Sequence, residues 1–334
     1  MEFGQQFKTR VEFWRSFPKI ELHRHIEGSV RLSTLNEWQK QDTKSDISVQ
    51  KTAEDLLIQN QMKDLSTVLH RFLHTRDMIS STERLTRLTF EIIEDSYNDG
   101  IKLLELRYSP TYLSENNSFN WEQGLEAINQ GIKMAANLPV AVGLIGIIQR
   151  TVDLKLSQKV MEFFKTNSRY FVGLDLADDE NYRQTADFEV LFKNRTLPLT
   201  VHSGESPGSH ENVRDAVLKL GAERIGHGLQ IRASAEIQQL VKEKKIGLEL
   251  CPTSNFITAT IQNINDHPLK AFLDSEIICS LNSDDPGIFN ITLSHEYALC
   301  EKSFGFSETE FNKLNNYAKK MSFINDSVKN KFWP

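Results

Sequence analysis

Cysteine is scarce in this chain: Cys251, Cys279 and Cys300 are the only three among 334 residues. No two form a CxxC pair, so neither a disulfide scaffold nor a thiolate zinc knot is expected. Their apolar, strand-like surroundings predict buried structural thiols. Proline (9) and glycine (16) are few, and no linker or low-complexity tract divides the chain, so residues 1–334 are expected to form one domain. Positive charge is in deficit, with 39 Lys and Arg against 45 Asp and Glu for a net charge of −6. That balance argues against a nucleic-acid partner, which would draw on a basic surface. Long hydrophobic runs are missing too. No stretch of about 18 apolar residues is present to span a membrane. Charged residues interrupt Met1–Phe17 where a leader would carry its apolar run. The expected setting is the cytoplasm, with a small molecule as partner; oligomeric state is not legible.

What is present is a pattern. Short apolar, β-branched runs at 20–23, 103–108, 142–148, 171–176, 197–202, 224–227, 246–251 and 277–282 each end in polar residues, and a helix-length amphipathic stretch follows. Near-continuous apolar strands alternating with helices indicate a parallel sheet covered on both faces. Eight such units predict a (β/α)₈ TIM barrel, an α/β fold. An open doubly wound sheet would show a Gly-rich phosphate turn after its first strand, and none is there. The segment between the first two runs is much longer than the others. It holds helical patterns at 65–78 and 83–98, expected as an excursion over the barrel mouth. From Phe306 onward the tail reads as terminal helices packing outside.

In such a barrel the loops after the strand ends form the working face. Reading those ends in order gives His23 and His25, Arg107, Asp178 to Glu180, His202 with Glu205, His227, Cys251 to Asn255, and Asp284 with Asp285. His23 and His25 are two apart on a strand and share a face. Alone, an HxH is weak evidence for a metal. With His202 and Asp284 at other strand ends it becomes a set of three imidazoles and a carboxylate, suited to Zn²⁺ with room for a water. No lysine ends the fourth run, so a carboxylated-lysine bridge between two metals is not expected and one ion per chain is.

Glu205 follows His202 across Gly204, which permits a tight turn; a carboxyl buried there can keep its proton at neutral pH. The alternative is a helix cap or solvated loop residue. His227 is flanked by two glycines, and its alternative is a satisfied core histidine. Arg107 and Arg24 read as structural. His70, His74, His210, His267 and His295 are assigned no role.

The stretches 18–29 (PKIELHRHIEGS), 105–110 (ELRYSP), 200–205 (TVHSGE), 224–228 (RIGHG), 251–255 (CPTSN) and 280–286 (SLNSDDP) resemble, in order, the signatures of the adenosine/adenine deaminase family. The resemblance implies a zinc-dependent hydrolytic deamination of adenosine and 2′-deoxyadenosine, with zinc hydroxide attacking purine C6. It implies that His23, His25, His202 and Asp284 hold Zn²⁺, that Glu205 protonates N1, that His227 orients the hydroxide and that Asp285 meets N7. Glu27, Phe72 and Asp178 fall at substrate-binding positions. Two departures bear on the sugar side. Glu27 stands where vertebrate-type members carry Asp, and Asp178 where members usually carry Gly, adding a Cβ and a charge beside purine N3. Phe72 fits equally a lid over the ribose or the core. Gly226 matches adenosine deaminases, where free-adenine deaminases carry Asp. The alternatives left open are adenine and a 5′-modified adenosine, of methylthio or futalosine type.

Overall fold

The computed structural model describes residues 4–334; residues 1–3, which open the segment read above for a leader, lie outside it. Eight strands form one sheet in sequence order, every neighbouring pair parallel. They are β1 (Lys19–His25), β2 (Ile101–Tyr108), β3 (Ala141–Gln149), β4 (Phe171–Ala177), β5 (Leu199–Ser203), β6 (Arg224–His227), β7 (Gly247–Leu250) and β8 (Cys279–Leu281). The ring closes between β1 and the end of β8: His25 N–H donates to Asp284 O at 3.1 Å, and Asp284 N–H to His23 O at 3.0 Å. The expected (β/α)₈ barrel is therefore the observed one, and it is zipped shut through three residues expected to hold metal.

Each expected run contains a strand, with ends shifted by a few residues. β8 is shortest because Glu21, inside the barrel, accepts from the Ser283 N–H at 3.1 Å and its hydroxyl at 2.5 Å, turning the chain out of the sheet. The strands are buried on both faces, as their unbroken apolar runs required.

Between β1 and β2 lie helices Leu32–Thr43, Val49–Leu56, Leu65–Met78 and Thr82–Asn98. The last two start where Asp64 and Ser81 cap the backbone N–H groups of Thr67 and Arg84. Leu65–Met78 lies over the mouth; Thr82–Asn98 packs outside, where Gly131 of the helix Trp121–Met134 lets the two backbones meet closely over Thr89. At the opposite end the tail covers the barrel floor. Ala318, Met321 and Ile324 pack on Ile20, Leu22 and Leu103, and Asn315 donates to Pro18 O at 3.0 Å. Among the described residues no helix is long and apolar enough to cross a membrane. All three cysteines are buried and unpaired.

Candidate active site

A cavity of about 460 Å³ opens at the C-terminal strand ends. Nine of the ten residues singled out above line it: His25, Glu27, Phe72, Asp178, His202, Glu205, His227, Asp284 and Asp285. The tenth, His23, is fully buried beneath them.

Backbone geometry sets up this rim. Gly204 has φ +71°, turning the chain between His202 and Glu205. A Cβ on Gly226 would sit 3.0 Å from the His23 ring, so glycine there gives that ring its place. His227, Asp284 and Asp178 all have positive φ (62°, 65° and 87°) without being glycine. Such strain collects at functional sites, where the surroundings hold it in place.

Beneath the rim lies a layer of paired charges. His23 Nδ1 donates to Glu249 at 2.8 Å and His202 Nδ1 to Asp175 at 3.1 Å. Arg107, inaccessible to solvent, bridges both carboxylates; its Nε–Asp175 contact is 2.7 Å. Arg224 adds a second contact to Glu249 at 2.7 Å. Burial opposes ionisation of Glu249, yet Arg107 and Arg224 hold its carboxyl well below the usual range. Burial likewise opposes Asp175, and His202 and Arg107 outweigh it. With both Nδ1 atoms donating to carboxylates, either ring in its neutral form turns a bare Nε2 toward the cavity.

Those nitrogens lie close to other ligand-type atoms. His23 Nε2 is buried with no hydrogen bond and lies 3.3 Å from Asp284 Oδ1. His25 Nε2 lies 3.3 Å from His202 Nε2 and 3.5 Å from Asp284 Oδ1. Atoms bound tetrahedrally to one ion at about 2.1 Å are separated by about 3.4 Å. The donor set and its spacing thus fit a zinc-type ion. Cys251 lies within the same cluster, but burial pushes its thiol well above the ordinary value, leaving it a poor ligand.

Glu205 and His227 adjoin this cluster, His227 Nε2 lying 3.5 Å from Glu205 and 3.8 Å from Asp284. Burial, reinforced by Asp284, raises the Glu205 carboxyl to about 8, so it holds a proton at neutral pH. The loop carrying it is fixed by Glu180, which accepts from the Gly204 N–H at 2.9 Å and the Ser209 hydroxyl at 2.8 Å. Burial and Asp284 also push Asp285 well above the carboxylate range. Gly28 has room for Asp285 and for no side chain of its own, since a Cβ would fall 1.8 Å from Asp285 Oδ1.

On the outer wall, Glu27 Oε2 is buried without a hydrogen-bond partner. The Asp178 carboxylate accepts from Thr151, from Gln149 Nε2 at 3.2 Å and from the Asp179 N–H at 2.8 Å. Its charge is tied to the wall, which relieves the crowding expected from a side chain at this position. Phe72 lines the cavity and packs in a cluster with Val68, Ile257 and Phe289, so its ring belongs to the cavity wall and to the core at once.

Reading strand ends missed Asp175 and Glu249, and it left Asn255 and His267 without a role. Asp175 and Glu249 interrupt otherwise apolar strands, and a carboxylate inside a doubly covered sheet has to find a cation or a donor. That signal was available.

Residues 18–333 match the family model described as adenosine deaminase. The chain is 32% identical over 320 residues to an adenosine deaminase of Shewanella loihica, covering 93% of this chain and 96% of that one. A solved N6-methyl-AMP deaminase of Arabidopsis thaliana is 28% identical, with a TM-score of 0.83 and 96% of each chain covered. A zinc-bound amidohydrolase from Burkholderia ambifaria has the same fold, at TM-score 0.87 and 22% identity, covering 99% of this chain and 91% of that one.

Proposed function

This chain belongs to the adenosine deaminase family, hydrolases of the C–N bond in a cyclic amidine, and from that premise we propose that it deaminates adenosine and 2′-deoxyadenosine with one Zn²⁺ per chain. What supports the reading is Glu205, its carboxyl raised by burial to about 8, beside His23, His25, His202 and Asp284, linked by contacts of 3.3 and 3.5 Å. Zn²⁺ on those four residues would supply a water ionised near neutral pH.

Glu205 gives its proton to purine N1, which withdraws electron density from C6 and opens it to hydrolysis. His227 holds the attacking oxygen in place. Asp285, kept neutral by burial and by Asp284, donates to N7 and fixes the orientation of the ring. The attacking water supplies two protons, one to the 6-amino group, which departs as ammonia, and one that restores Glu205, and the 6-oxo product remains. On the sugar side, the unpartnered Glu27 oxygen accepts a ribose hydroxyl, and Phe72 covers the pocket.

The wall argues for a nucleoside over a nucleotide. Glu27, Glu115, Asp178 and Asp179 line the cavity with Arg76, whose guanidinium is engaged by Asp77 and Glu115 at 2.8 and 2.6 Å. A 5′-phosphate would meet carboxylates with no free arginine to neutralise it.

A panel of adenosine, 2′-deoxyadenosine, 5′-methylthioadenosine, AMP, N6-methyl-AMP and adenine tests this, read by loss of absorbance at 265 nm and by release of ammonia, or of methylamine from N6-methyl-AMP. Adenosine and its 2′-deoxy form should give the highest kcat/KM. Turnover of adenine alone, or of the phosphorylated substrates alone, would move the assignment to that class.

A further inference from the structure

Asn255 and His267 form a buried hydrogen-bonded path that ends on His227. Its outer end is fixed by the backbone, for the Leu269 N–H donates to His267 Nδ1 at 3.1 Å. A ring nitrogen that accepts carries no proton, so the neutral His267 ring has its hydrogen on Nε2. That nitrogen meets the Asn255 side chain at 3.2 Å. The atom it meets has to accept, which makes it the amide oxygen. The Asn255 amide nitrogen then faces His227 Nδ1 at 3.1 Å and donates to it.

His227 Nδ1 is thereby an acceptor, and the single proton of the neutral ring sits on Nε2. This is the nitrogen directed at Glu205 and Asp284. Burial favours the neutral form of the His267 ring, lowering it to about 3. We propose that Asn255 and His267 are positioning residues that lock His227 as a hydrogen-bond donor toward the oxygen that attacks C6. His227 then stabilises negative charge on that oxygen and leaves proton delivery to Glu205. The relay rests on the proposed function only for what the Nε2–H faces; the tautomer follows from the hydrogen bonds themselves.

The direct test is ¹⁵N NMR of zinc-loaded, histidine-labelled protein without substrate, with His227 assigned by the signals lost in His227→Gln. The expected spectrum has a bare Nδ1 and a protonated Nε2 on His227; a proton on Nδ1 would overturn the relay. Kinetics on two variants separate relay from packing. The amide nitrogen of His267→Gln reaches the place of Nε2 and can still donate to Asn255. His267→Asn satisfies Leu269 but falls short of Asn255. The Gln variant should keep kcat within about threefold of wild type, whereas the Asn variant should lose about 30-fold with KM and zinc content unchanged. Equal kcat values in the two would contradict the proposal. If no purine is turned over at all, the functional reading falls while the NMR spectrum still decides the tautomer.

Discussion

The same side chain, a carboxylate, occurs at two depths of this barrel and behaves in opposite ways. In the lower layer, Asp175 and Glu249 are inaccessible to solvent, yet His202 and Arg107 keep the first ionised and Arg107 and Arg224 the second. At the cavity wall, Glu205 and Asp285 are also buried but have no arginine partner among the described residues, and both retain protons. The difference is one of partners. Paired carboxylates fix which nitrogen of each histidine faces the cavity, and unpaired ones are stored as acids for the substrate. The barrel separates these tasks by height along its axis.

The sharpest way to break this contrast is to remove the stored acid. Glu205→Gln keeps the shape and deletes the proton source, and kcat for adenosine should fall by about 10³-fold with zinc retained; a loss under tenfold would mean that another group acts. Next comes the lower layer. Glu249→Gln or Asp175→Asn leaves the ligands in place but weakens the acceptor behind His23 or His202. Zinc affinity should drop about 10- to 100-fold, read by competition with a chelator, while kcat at saturating zinc changes much less. A drop in kcat with unchanged zinc affinity would place these carboxylates in the chemistry instead of under the metal.

The stored proton also has a thermodynamic signature in metal-free protein. Glu205 has a folded value of about 8 against an ordinary 4.5, so the folded state holds a proton that the unfolded state has lost across that window. Its contribution is therefore present below about pH 4.5 and is lost as pH rises toward 8. Urea denaturation should show Glu205→Gln gaining on wild type by about 1.4 kcal/mol per pH unit within the window. A difference independent of pH would show that the carboxyl is ionised throughout. The smallest effect is expected on the outer wall. Since Gln149, Thr151 and the Asp179 N–H already hold the Asp178 carboxylate, Asp178→Gly should change KM for adenosine by less than about threefold. A tenfold change would show that this side chain reaches the substrate.

The barrel was legible because eight doubly buried strands need eight apolar runs, and each run was visible. The rim was legible because its residues stand where those runs stop. Strand ends moved by a residue or two where a side chain intervened, as when Glu21 captures Ser283 and cuts β8 short. Less legible was everything that acts through a neighbour. Asn255 lies in a stretch that was quoted, but its hold on His227 depends on His267, twelve residues further on and past the end of the helix Pro252–Ile257 that carries Asn255. Nor does spacing reveal that Asp178 would carry a backbone with φ of 87° and have its charge tied down.

The central claim is that His23, His25, His202 and Asp284 hold one divalent ion on which hydrolysis beside Glu205 depends. Titrating zinc into chelated, folded protein while following adenosine turnover tests it most directly. Activity should start at zero and reach its plateau at one ion per chain. Full turnover without metal, or a plateau only at two ions, would contradict it.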